Sequence, residues 1–161
     1  MFSLGKPICD VLNYLHTRSP VIIYRDVKPD NVILKPDGTI ALIDFGVART
    51  YKPGQLADTV CLGTLGYAAP EQFGNAQTDV RTDIFGLGKT MHKLLTNVNL
   101  TKPPYETKPI RQYNPDLSQR LENIIMKCIA PDPRDRFQTC DELFQALTNY
   151  NQKQVKKRTV Q

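Results

Sequence analysis

Apolar residues recur at helical spacing, three or four positions apart, in four stretches of the chain. The first covers residues 8–15 and ends before Pro20, which disfavours helix in the residue that precedes it. The second, residues 83–95, is strongly apolar and predicts the central helix of a domain. A third covers residues 117–128, and the fourth follows Thr139, which begins a helix-capping sequence. The pattern predicts a mainly helical protein.

Short runs of β-branched residues lie between the first and second predicted helices. Residues 32–34 and 39–43 flank residues 35–38, whose proline, aspartate and glycine suit a tight turn, and they predict a small β-hairpin. A further run at 21–24 predicts a short strand before it. Residues 47–67 hold glycines, threonines and one proline without a sustained period, which predicts a long loop of the kind that carries function. The expected fold class is mainly α with a small β-hairpin.

Composition places the chain among ordinary globular domains. Hydrophobic residues make up 40% of its 161 residues and charged residues 23%, so a single compact domain is expected. Much of the net charge of +5 lies between residues 153 and 158, which leaves the body of the chain close to neutral. We therefore expect residues 1–148 to form the domain and residues 149–161 a basic, flexible tail, with no nucleic-acid partner.

The sequence also bears on the cellular setting. No apolar run approaches the length of about 20 residues that a membrane span needs, and residues 1–15 lack the apolar core of a signal peptide. The four cysteines are widely separated, without the spacing of a zinc site. We expect a cytoplasmic protein with reduced thiols and no membrane span in this chain.

Residues suited to phosphoryl transfer follow the predicted strand and the predicted hairpin. This reaction needs a carboxylate to orient the attacking hydroxyl, ligands for a metal ion and a cation for the transferred group. Asp26, Lys28 and Asn31 come directly after the strand, and Asp44 follows the hairpin. Because the hairpin folds back on itself, it should return Asp44 toward Asn31. An amide and a carboxylate oxygen are hard ligands of the kind that Mg²⁺ prefers.

These segments resemble those of a known family. The run from Tyr24 to Asn31 resembles the catalytic loop of protein kinases, and Asp44-Phe45-Gly46 and Ala69-Pro70-Glu71 follow at the family's spacing. The resemblance extends over about residues 8–147 and implies a protein serine/threonine kinase of eukaryotic type and bacterial appearance. It further implies the C-terminal lobe (C-lobe) of the kinase fold, with the N-terminal lobe (N-lobe) absent from these residues.

The resemblance implies roles for five residues in nucleotide chemistry. Asp26 corresponds to the catalytic base, and Lys28 to the cation near the γ-phosphate. Asn31 and Asp44 would hold Mg²⁺ or Mn²⁺ with ATP as the phosphate donor. Ile33 would form the floor beneath the adenine ring, although ordinary core packing explains an apolar residue at this position equally well.

Three further residues receive structural roles from the resemblance. Glu71 would form a buried ion pair with Arg136 and so fix the end of the activation segment. Asp83 would hydrogen-bond the backbone around Arg25, next to the catalytic aspartate. Removing one partner of either contact should be costly, because a buried charge is left without its counterpart.

Substrate class and regulation also follow from the resemblance. Lys28 and Thr64 match serine/threonine kinases rather than tyrosine kinases, so the expected substrates are hydroxyl groups of proteins. Arg25 beside the catalytic aspartate is similar to that of kinases switched on by activation-loop phosphorylation, in which the arginine pairs with the phosphate. The regulatory candidates are Thr59 first and Thr50 second, together with Thr64.

The chain departs from the family pattern in two ways. Tyr24 occupies the position of the usual histidine and should still pack on Phe45. The 161 residues hold no glycine-rich phosphate loop and no lysine-bearing strand, which belong to the N-lobe. We therefore expect a truncated gene product, a gene fragment or one part of a split kinase, inactive alone. We also expect Tyr24, Phe45 and the upper face of the hairpin to be exposed and to favour association with other proteins.

Two other interpretations stay open from the sequence. One is a non-catalytic kinase-like module, or decaying gene fragment, that binds or competes with an intact kinase. The other is a small-molecule phosphotransferase, since aminoglycoside and choline kinases share a similar set of aspartates and asparagine. The threonine-bearing segment before Ala69-Pro70-Glu71 weighs against that second class.

Overall fold

The computed structural model of the chain describes residues 4–56, 62–74 and 76–159, with side chains to residue 152. All four predicted helices are present in it. The helices are α1 (Gly5–His16), α2 (Val80–Thr96), α3 (Gln119–Cys128) and α4 (Cys140–Thr159). The strands are β1 (Ile22–Ile23), β2 (Val32–Leu34), β3 (Ile40–Leu42) and β4 (Arg49–Thr50).

Helix α2 is the centre of the fold, as its apolar pattern predicts. Every residue from 82 to 92 is buried. Asp79 caps its start by accepting a hydrogen bond from the Arg81 backbone, and Asn97 ends it in the left-handed conformation. Gly88 lets α3 approach closely, because a Cβ there would lie 2.5 Å from the Cβ of Cys128.

The predicted hairpin forms, with its turn at residues 35–38. Strands β2 and β3 pair antiparallel, with Val32 opposite Leu42 and Leu34 opposite Ile40. Lys35 closes the turn by donating its backbone N–H to the Thr39 carbonyl at 2.8 Å. The hairpin therefore brings the end of β3 next to the start of β2.

A second strand pair corrects the prediction of an unbroken loop at 47–67. Strand β4 pairs antiparallel with β1, with Ile22 opposite Thr50 and Ile23 opposite Arg49. The prediction was wrong because a strand of two polar residues carries no alternating pattern. Its extended conformation comes from pairing with a strand distant in sequence.

The apolar core is formed by the buried sides of all four helices and by the segment that follows β1. Helix α1 packs against α4 and α2, and α3 packs against both α2 and α4. The core includes residues from each helix and from the segment after β1, namely Ile8, Leu12, Tyr24, Val27, Ile84, Leu87, Leu121, Ile125, Leu143 and Leu147. The same layer buries the thiols of Cys9, Cys128 and Cys140.

Helix α4 extends further than its apolar pattern indicates. The pattern ends at Leu147, whereas the helix continues to Thr159. Residues 149–159, where a flexible tail is expected, therefore have helical backbone, and the domain boundary at 148 stays a prediction. Within the described residues, every helix is too short or too polar to cross a bilayer.

Candidate active site

Asp26 lies at the centre of a hydrogen-bonded cluster built from two segments, residues 26–31 and the segment around Thr64. Its Oδ1 accepts a bond from the Thr64 hydroxyl at 2.7 Å. Its Oδ2 lies 2.8 Å from the ammonium of Lys28 and accepts a bond from the Asn31 amide at 2.8 Å. The Lys28 ammonium also donates to the Thr64 hydroxyl at 2.7 Å. Asp26, Lys28 and Thr64 thus form a closed triangle of contacts.

Thr64 stands closer to this chemistry than its place among the regulatory candidates indicates. Its hydroxyl lies between the Lys28 ammonium and the Asp26 carboxylate. The contact joins residues 38 positions apart. The sequence indicates the residue type but carries no sign of this pairing.

Asn31 and Asp44 are brought to the same end of the hairpin. The Asn31 amide nitrogen donates to both the backbone carbonyl and the carboxylate of Asp26, so its amide oxygen is the atom left for a metal ion. The backbone N–H of Ile43 donates to the Asn31 carbonyl at 3.0 Å, which sets Asp44 one residue beyond this junction.

The donor set at this junction fits Mg²⁺. Asp44 is exposed and has a left-handed backbone with φ of 62°, and its Oδ1 accepts a bond from the Gly46 N–H. Its second carboxylate oxygen and the amide oxygen of Asn31 are hard ligands. An octahedral Mg²⁺ commonly takes few such protein ligands and completes its shell with water and phosphate oxygens.

Tyr24 is buried, and the prediction that it would be exposed is wrong. Its hydroxyl donates to the Ile43 carbonyl, and its ring lies 5.1 Å from that of Phe45 in an edge-to-face arrangement. Burial raises the pKa of the Tyr24 hydroxyl, and the nearby carboxylates of Asp26 and Asp44 raise it further. Tyr24 therefore acts as a neutral hydrogen-bond donor that links the catalytic loop to the hairpin.

The upper face of the hairpin is apolar and open to solvent. Ile33 is 47% exposed and Phe45 48% exposed, and Ile43 is also exposed. Ile33 therefore lies outside the core formed by the described residues. We call Ile33, Ile43 and Phe45 the hairpin face.

Asp83 holds the backbone immediately before Asp26. Its carboxylate, fully buried in the first turn of α2, accepts the backbone N–H of Tyr24 at 2.9 Å and of Arg25 at 2.7 Å. Arg25 has a φ of 71°, a strained conformation for a residue with a side chain. The two bonds to Asp83 stabilise that conformation and so fix the direction in which the chain enters Asp26.

Glu71 and Arg136 form a bidentate, buried ion pair. The two guanidinium nitrogens of Arg136 lie 2.7 and 3.0 Å from the two carboxylate oxygens of Glu71. Arg136 also donates to the carbonyls of Ala130 and Pro131, and Glu71 accepts a bond from the Thr82 hydroxyl. Both charged groups therefore make further hydrogen bonds beside those to each other, as a buried ion pair requires.

Gln72 is a site residue that the sequence did not indicate. Its buried amide donates to the carbonyls of Arg25 and Leu62, at 2.8 and 2.7 Å, and accepts the backbone N–H of Ala69. It thus joins the catalytic loop to both ends of the segment around Thr64. A lone glutamine beside Glu71 offers no periodicity or motif by which this role could be found.

A polar cavity of about 360 Å³ lies beside the catalytic loop. Its lining includes three basic residues, Arg25, Arg49 and Lys52, together with Thr50. Of the two threonines predicted as phosphorylation sites, Thr50 therefore lies at the same cavity as Arg25. Thr59 lies outside the described residues.

Comparisons with known proteins identify the family of the chain. The family model of the protein kinase domain matches residues 3–154. The chain is 31% identical to the serine/threonine-protein kinase PrkC of Bacillus subtilis over 80% of its length and 29% identical to PknB of Mycolicibacterium smegmatis over 84%. It is also 33% identical to the tyrosine-protein kinase MasK of Myxococcus xanthus over 80%.

The match covers most of this chain but a small part of each relative. The chain spans 22% of the length of PrkC and MasK and 24% of that of PknB. The family model, in contrast, matches nearly all of the chain, and the matched region contains every residue of the Asp26 cluster. The chain belongs to the protein kinase domain family and is similar to the eukaryotic-type serine/threonine kinases of bacteria.

Proposed function

We propose that the chain is the C-lobe of a protein serine/threonine kinase that transfers the γ-phosphate of ATP to serine and threonine hydroxyls of proteins. The observation that carries the proposal is the triangle of Asp26, Lys28 and Thr64. It supplies a carboxylate acceptor for a hydroxyl proton and a cation within 2.8 Å of that carboxylate. This is the pair of charges that phosphoryl transfer to an alcohol needs.

Each residue of the cluster has a distinct task in this reaction. Asp26 accepts the proton of the substrate hydroxyl, and Lys28 balances charge on the transferred group. Asn31 and Asp44 hold Mg²⁺ or Mn²⁺, which when bound neutralises the phosphate oxygens. Asn31 also orients Asp26 through the two hydrogen bonds that its side-chain amide donates. Loss of this side chain therefore affects both metal binding and the orientation of the base.

Nucleotide binding requires a surface opposite the hairpin face. Ile33 provides an apolar floor for the adenine ring, and its exposure leaves it accessible to a planar ligand. The 161 residues contain no glycine-rich loop and no lysine-bearing strand. In these residues alone, the phosphates of a bound nucleotide would therefore lack the contacts that such elements make, and water would have access to the site. We infer that activity needs an N-lobe, supplied either by further residues of the same polypeptide or by another chain.

The test is phosphate transfer by the 161-residue chain with and without a separately supplied N-lobe of a bacterial serine/threonine kinase. We expect transfer to serine and threonine peptides only when both parts are present. Asp26→Asn should lower the rate by about 10²- to 10⁴-fold, the usual contribution of a general base. Asp30→Asn is the matched control, because Asp30 lies in the same loop and is exposed.

The outcomes separate the competing interpretations. Equal transfer by the chain alone would contradict the need for an N-lobe, and transfer unaffected by Asp26→Asn would overturn the catalytic assignment. Binding of the N-lobe or of an intact kinase without transfer would favour the non-catalytic module, an alternative supported by the open hairpin face. Transfer to tyrosine peptides instead would align the chain with MasK in acceptor class.

Regulation by phosphorylation follows from the basic cavity. A phosphate on Thr50 would lie at one cavity with Arg25, Arg49 and Lys52, and charge-assisted bonds to it would order the adjoining loop. Thr59, which lies outside the described residues, stays the first candidate from the sequence. Mass spectrometry after incubation of the complemented kinase with ATP tests this. Thr50→Ala and Thr59→Ala each remove one site, and unchanged activation in the double variant would contradict the proposal.

A further inference from the structure

Lys89 is a buried charged residue that the proposed reaction does not use. It lies in the middle of α2 and is 6% exposed. Its ammonium donates a hydrogen bond to the hydroxyl of Thr107 and lies 5.8 Å from the centre of the Phe85 ring. Among the residues that the structure describes, no carboxylate forms an ion pair with it. A buried cation therefore has a neutral hydroxyl as its hydrogen-bond acceptor.

This arrangement is unfavourable for the stability of the fold. A buried ammonium loses its hydration, and a neutral hydroxyl compensates less of that free energy than a carboxylate would. Burial accordingly lowers the pKa of Lys89 below its ordinary value of 10.5. An apolar side chain of similar length would occupy the same position at a lower cost. A lysine at such a position is therefore a candidate for a role other than stability.

The bond from Lys89 attaches the connection that follows α2, residues 97–118, back onto that helix. Thr107 accepts this bond, and the carbonyl oxygen of the next residue, Lys108, lies 2.8 Å from Nε2 of His92. Lys89 and His92 are three positions apart and so lie on the same side of α2. Two adjacent residues of the connection are thus held by one side of the helix.

The first half of the connection lies against the turn that carries Thr64. A Cβ on Gly66 would lie 2.1 Å from the Leu100 carbonyl oxygen, so the two backbones are in direct contact. The carbonyl of Thr64 accepts the backbone N–H groups of Tyr67 and Ala68 at 3.0 and 2.9 Å, which closes the turn around Gly66. A displacement of Leu100 would therefore change the space available to this turn.

The near end of the connection is fixed at the last turn of α2. The backbone N–H of Asn97 donates to the Lys93 carbonyl at 2.8 Å, and the Lys93 ammonium donates to the Asn97 carbonyl at 3.0 Å. Leu100 thus lies in a loop with both ends attached to α2, by Asn97 at one end and by Thr107 at the other. Loss of the attachment at Thr107 would free one end and allow Leu100 to withdraw from Gly66.

We propose that Lys89 is a positioning residue of the active site, whose bond to Thr107 holds the connection against the turn of Thr64 and so keeps the Thr64 hydroxyl beside Asp26. The inference rests on the proposed function in naming Asp26 and Thr64 as the site that is positioned. Lys89 acts through the Leu100 backbone rather than by contact with a substrate. The buried charge is then a cost to stability that serves the geometry of the site.

Hydrogen exchange of backbone amides in the 161-residue chain tests this role. In Lys89→Met, which keeps an unbranched side chain but removes the amine, exchange at Tyr67 and Ala68 should rise by about three- to tenfold relative to amides of α1. That range corresponds to the loss of one hydrogen bond. Lys127→Met is the matched control, because Lys127 is exposed on α3, and it should leave exchange at both amides unchanged.

Urea unfolding of the same variants separates positioning from a purely structural role. If Lys89 only stabilises the fold, Lys89→Met should lower the urea midpoint and raise exchange at amides throughout the core. A positioning role predicts a midpoint that does not fall, because a buried charge is removed, and a rise confined to the turn and the connection. A lower midpoint with a general rise in exchange, or no rise at Tyr67 and Ala68, would overturn the proposal.

Thr107 provides a second pair of variants, and it is only partly buried, so that changes there leave the core intact. Thr107→Val removes the hydroxyl at nearly constant volume and should raise exchange at Tyr67 and Ala68 to the level of Lys89→Met. Thr107→Ser keeps the hydroxyl and should keep the protection. The double variant of Lys89→Met with Thr107→Val should show no further rise, since both changes remove the same bond. Additive effects, or equal exchange in the valine and serine variants, would contradict the role of this bond.

All of these measurements are made without nucleotide or N-lobe. A failure of the proposed kinase activity therefore leaves their outcome unchanged, and a failure of the link from Lys89 to the Thr64 turn leaves the assignment of Asp26 intact. If Lys89→Met does not fold, the comparison of Thr107→Val with Thr107→Ser still decides whether the bond holds the turn.

Discussion

At the scale of single residues, buried charged groups of the core have specific protein partners. Glu71 and Arg136 share two hydrogen bonds, and Asp83 accepts bonds from two backbone N–H groups. Burial makes such partners necessary, because an ion without its counterpart keeps its full desolvation cost. Substitutions that remove one partner should therefore differ from those that remove both.

The Glu71–Arg136 pair gives a direct case. Arg136→Met should lower the free energy of unfolding by about 3–5 kcal/mol, because Glu71 stays buried without its counter-ion. The double variant Arg136→Met with Glu71→Gln should lose less, since no buried charge is left unpaired. Urea unfolding of the two variants measures the difference. A double variant less stable than the single one would contradict this account.

His92 should make stability depend on pH. Burial lowers the pKa of His92 below its ordinary value of 6.5, and the charge of Lys89 adds to this, against an opposing bond to the Lys108 carbonyl. The unfolded chain therefore binds the proton more readily, so the stability that the neutral ring contributes is present above pH 6.5 and declines as the pH falls.

The corresponding measurement compares urea midpoints at about pH 7 and about pH 5 in the unaltered chain and in His92→Gln. Glutamine keeps a donor for the Lys108 carbonyl but does not titrate. The fall in stability on acidification should be smaller in the variant. An identical fall in both proteins would show that other groups account for it.

Much of the site could be predicted at this scale because its residues combine recognisable chemistry with fixed spacing. Asp26, Lys28, Asn31 and Asp44 are of this kind. Gln72 could not be predicted, nor could the direct bond of Thr64 to Asp26, because both depend on how a distant segment folds over the loop. The same holds for Tyr24, whose exposure was predicted from the absence of an N-lobe but is prevented by packing within the described residues.

At the scale of elements, the segment around Thr64 is held against the connection that follows α2. Gly66 has a φ of +86°, and a Cβ there would lie 2.1 Å from the Leu100 carbonyl oxygen. The segment therefore needs glycine for two reasons, its left-handed backbone and the close approach of another chain segment. This contact sets how far Thr64 can move from Asp26.

Gly54 allows these two reasons to be separated. It has a similar φ of +83°, but a Cβ there would meet nothing within 4 Å. Gly54→Ala should cost about 1 kcal/mol from backbone strain alone, whereas Gly66→Ala should cost clearly more, since the Leu100 backbone must also move. Urea unfolding measures both, and equal losses would show that the contact with Leu100 is unimportant.

Long elements with a regular apolar pattern could be predicted from the sequence, whereas short elements without one could not. The helices and the hairpin have apolar patterns that extend over several residues and a turn sequence of the appropriate type. Strand β4 has neither, and the last turns of α4 lack an apolar face that would mark them as helix. The local pattern of apolar residues indicates which face of an element is buried. Elements that are short or face the solvent have no such pattern and cannot be predicted from it.

At the scale of the whole molecule, the hairpin face is an apolar surface that the described residues leave uncovered. The four helices enclose one continuous core, yet three large apolar side chains beside the Asp26 cluster, Ile33, Ile43 and Phe45, stay exposed. A contiguous exposed apolar surface of this kind is uncommon unless it binds something. In the function proposed above, an N-lobe and a nucleotide would both contact this face, next to Asn31 and Asp44.

The hairpin face should therefore bind a hydrophobic dye and lose that binding when the N-lobe is added. In Ile33→Thr with Ile43→Thr, dye fluorescence should fall, because the exposed apolar area is reduced while threonine keeps the β-branching that suits extended backbone. Leu56→Thr is the matched control, since Leu56 is 92% exposed but lies outside the hairpin. Unchanged fluorescence in the double variant, or an equal fall in the control, would contradict this role, because the dye would then be binding elsewhere on the chain.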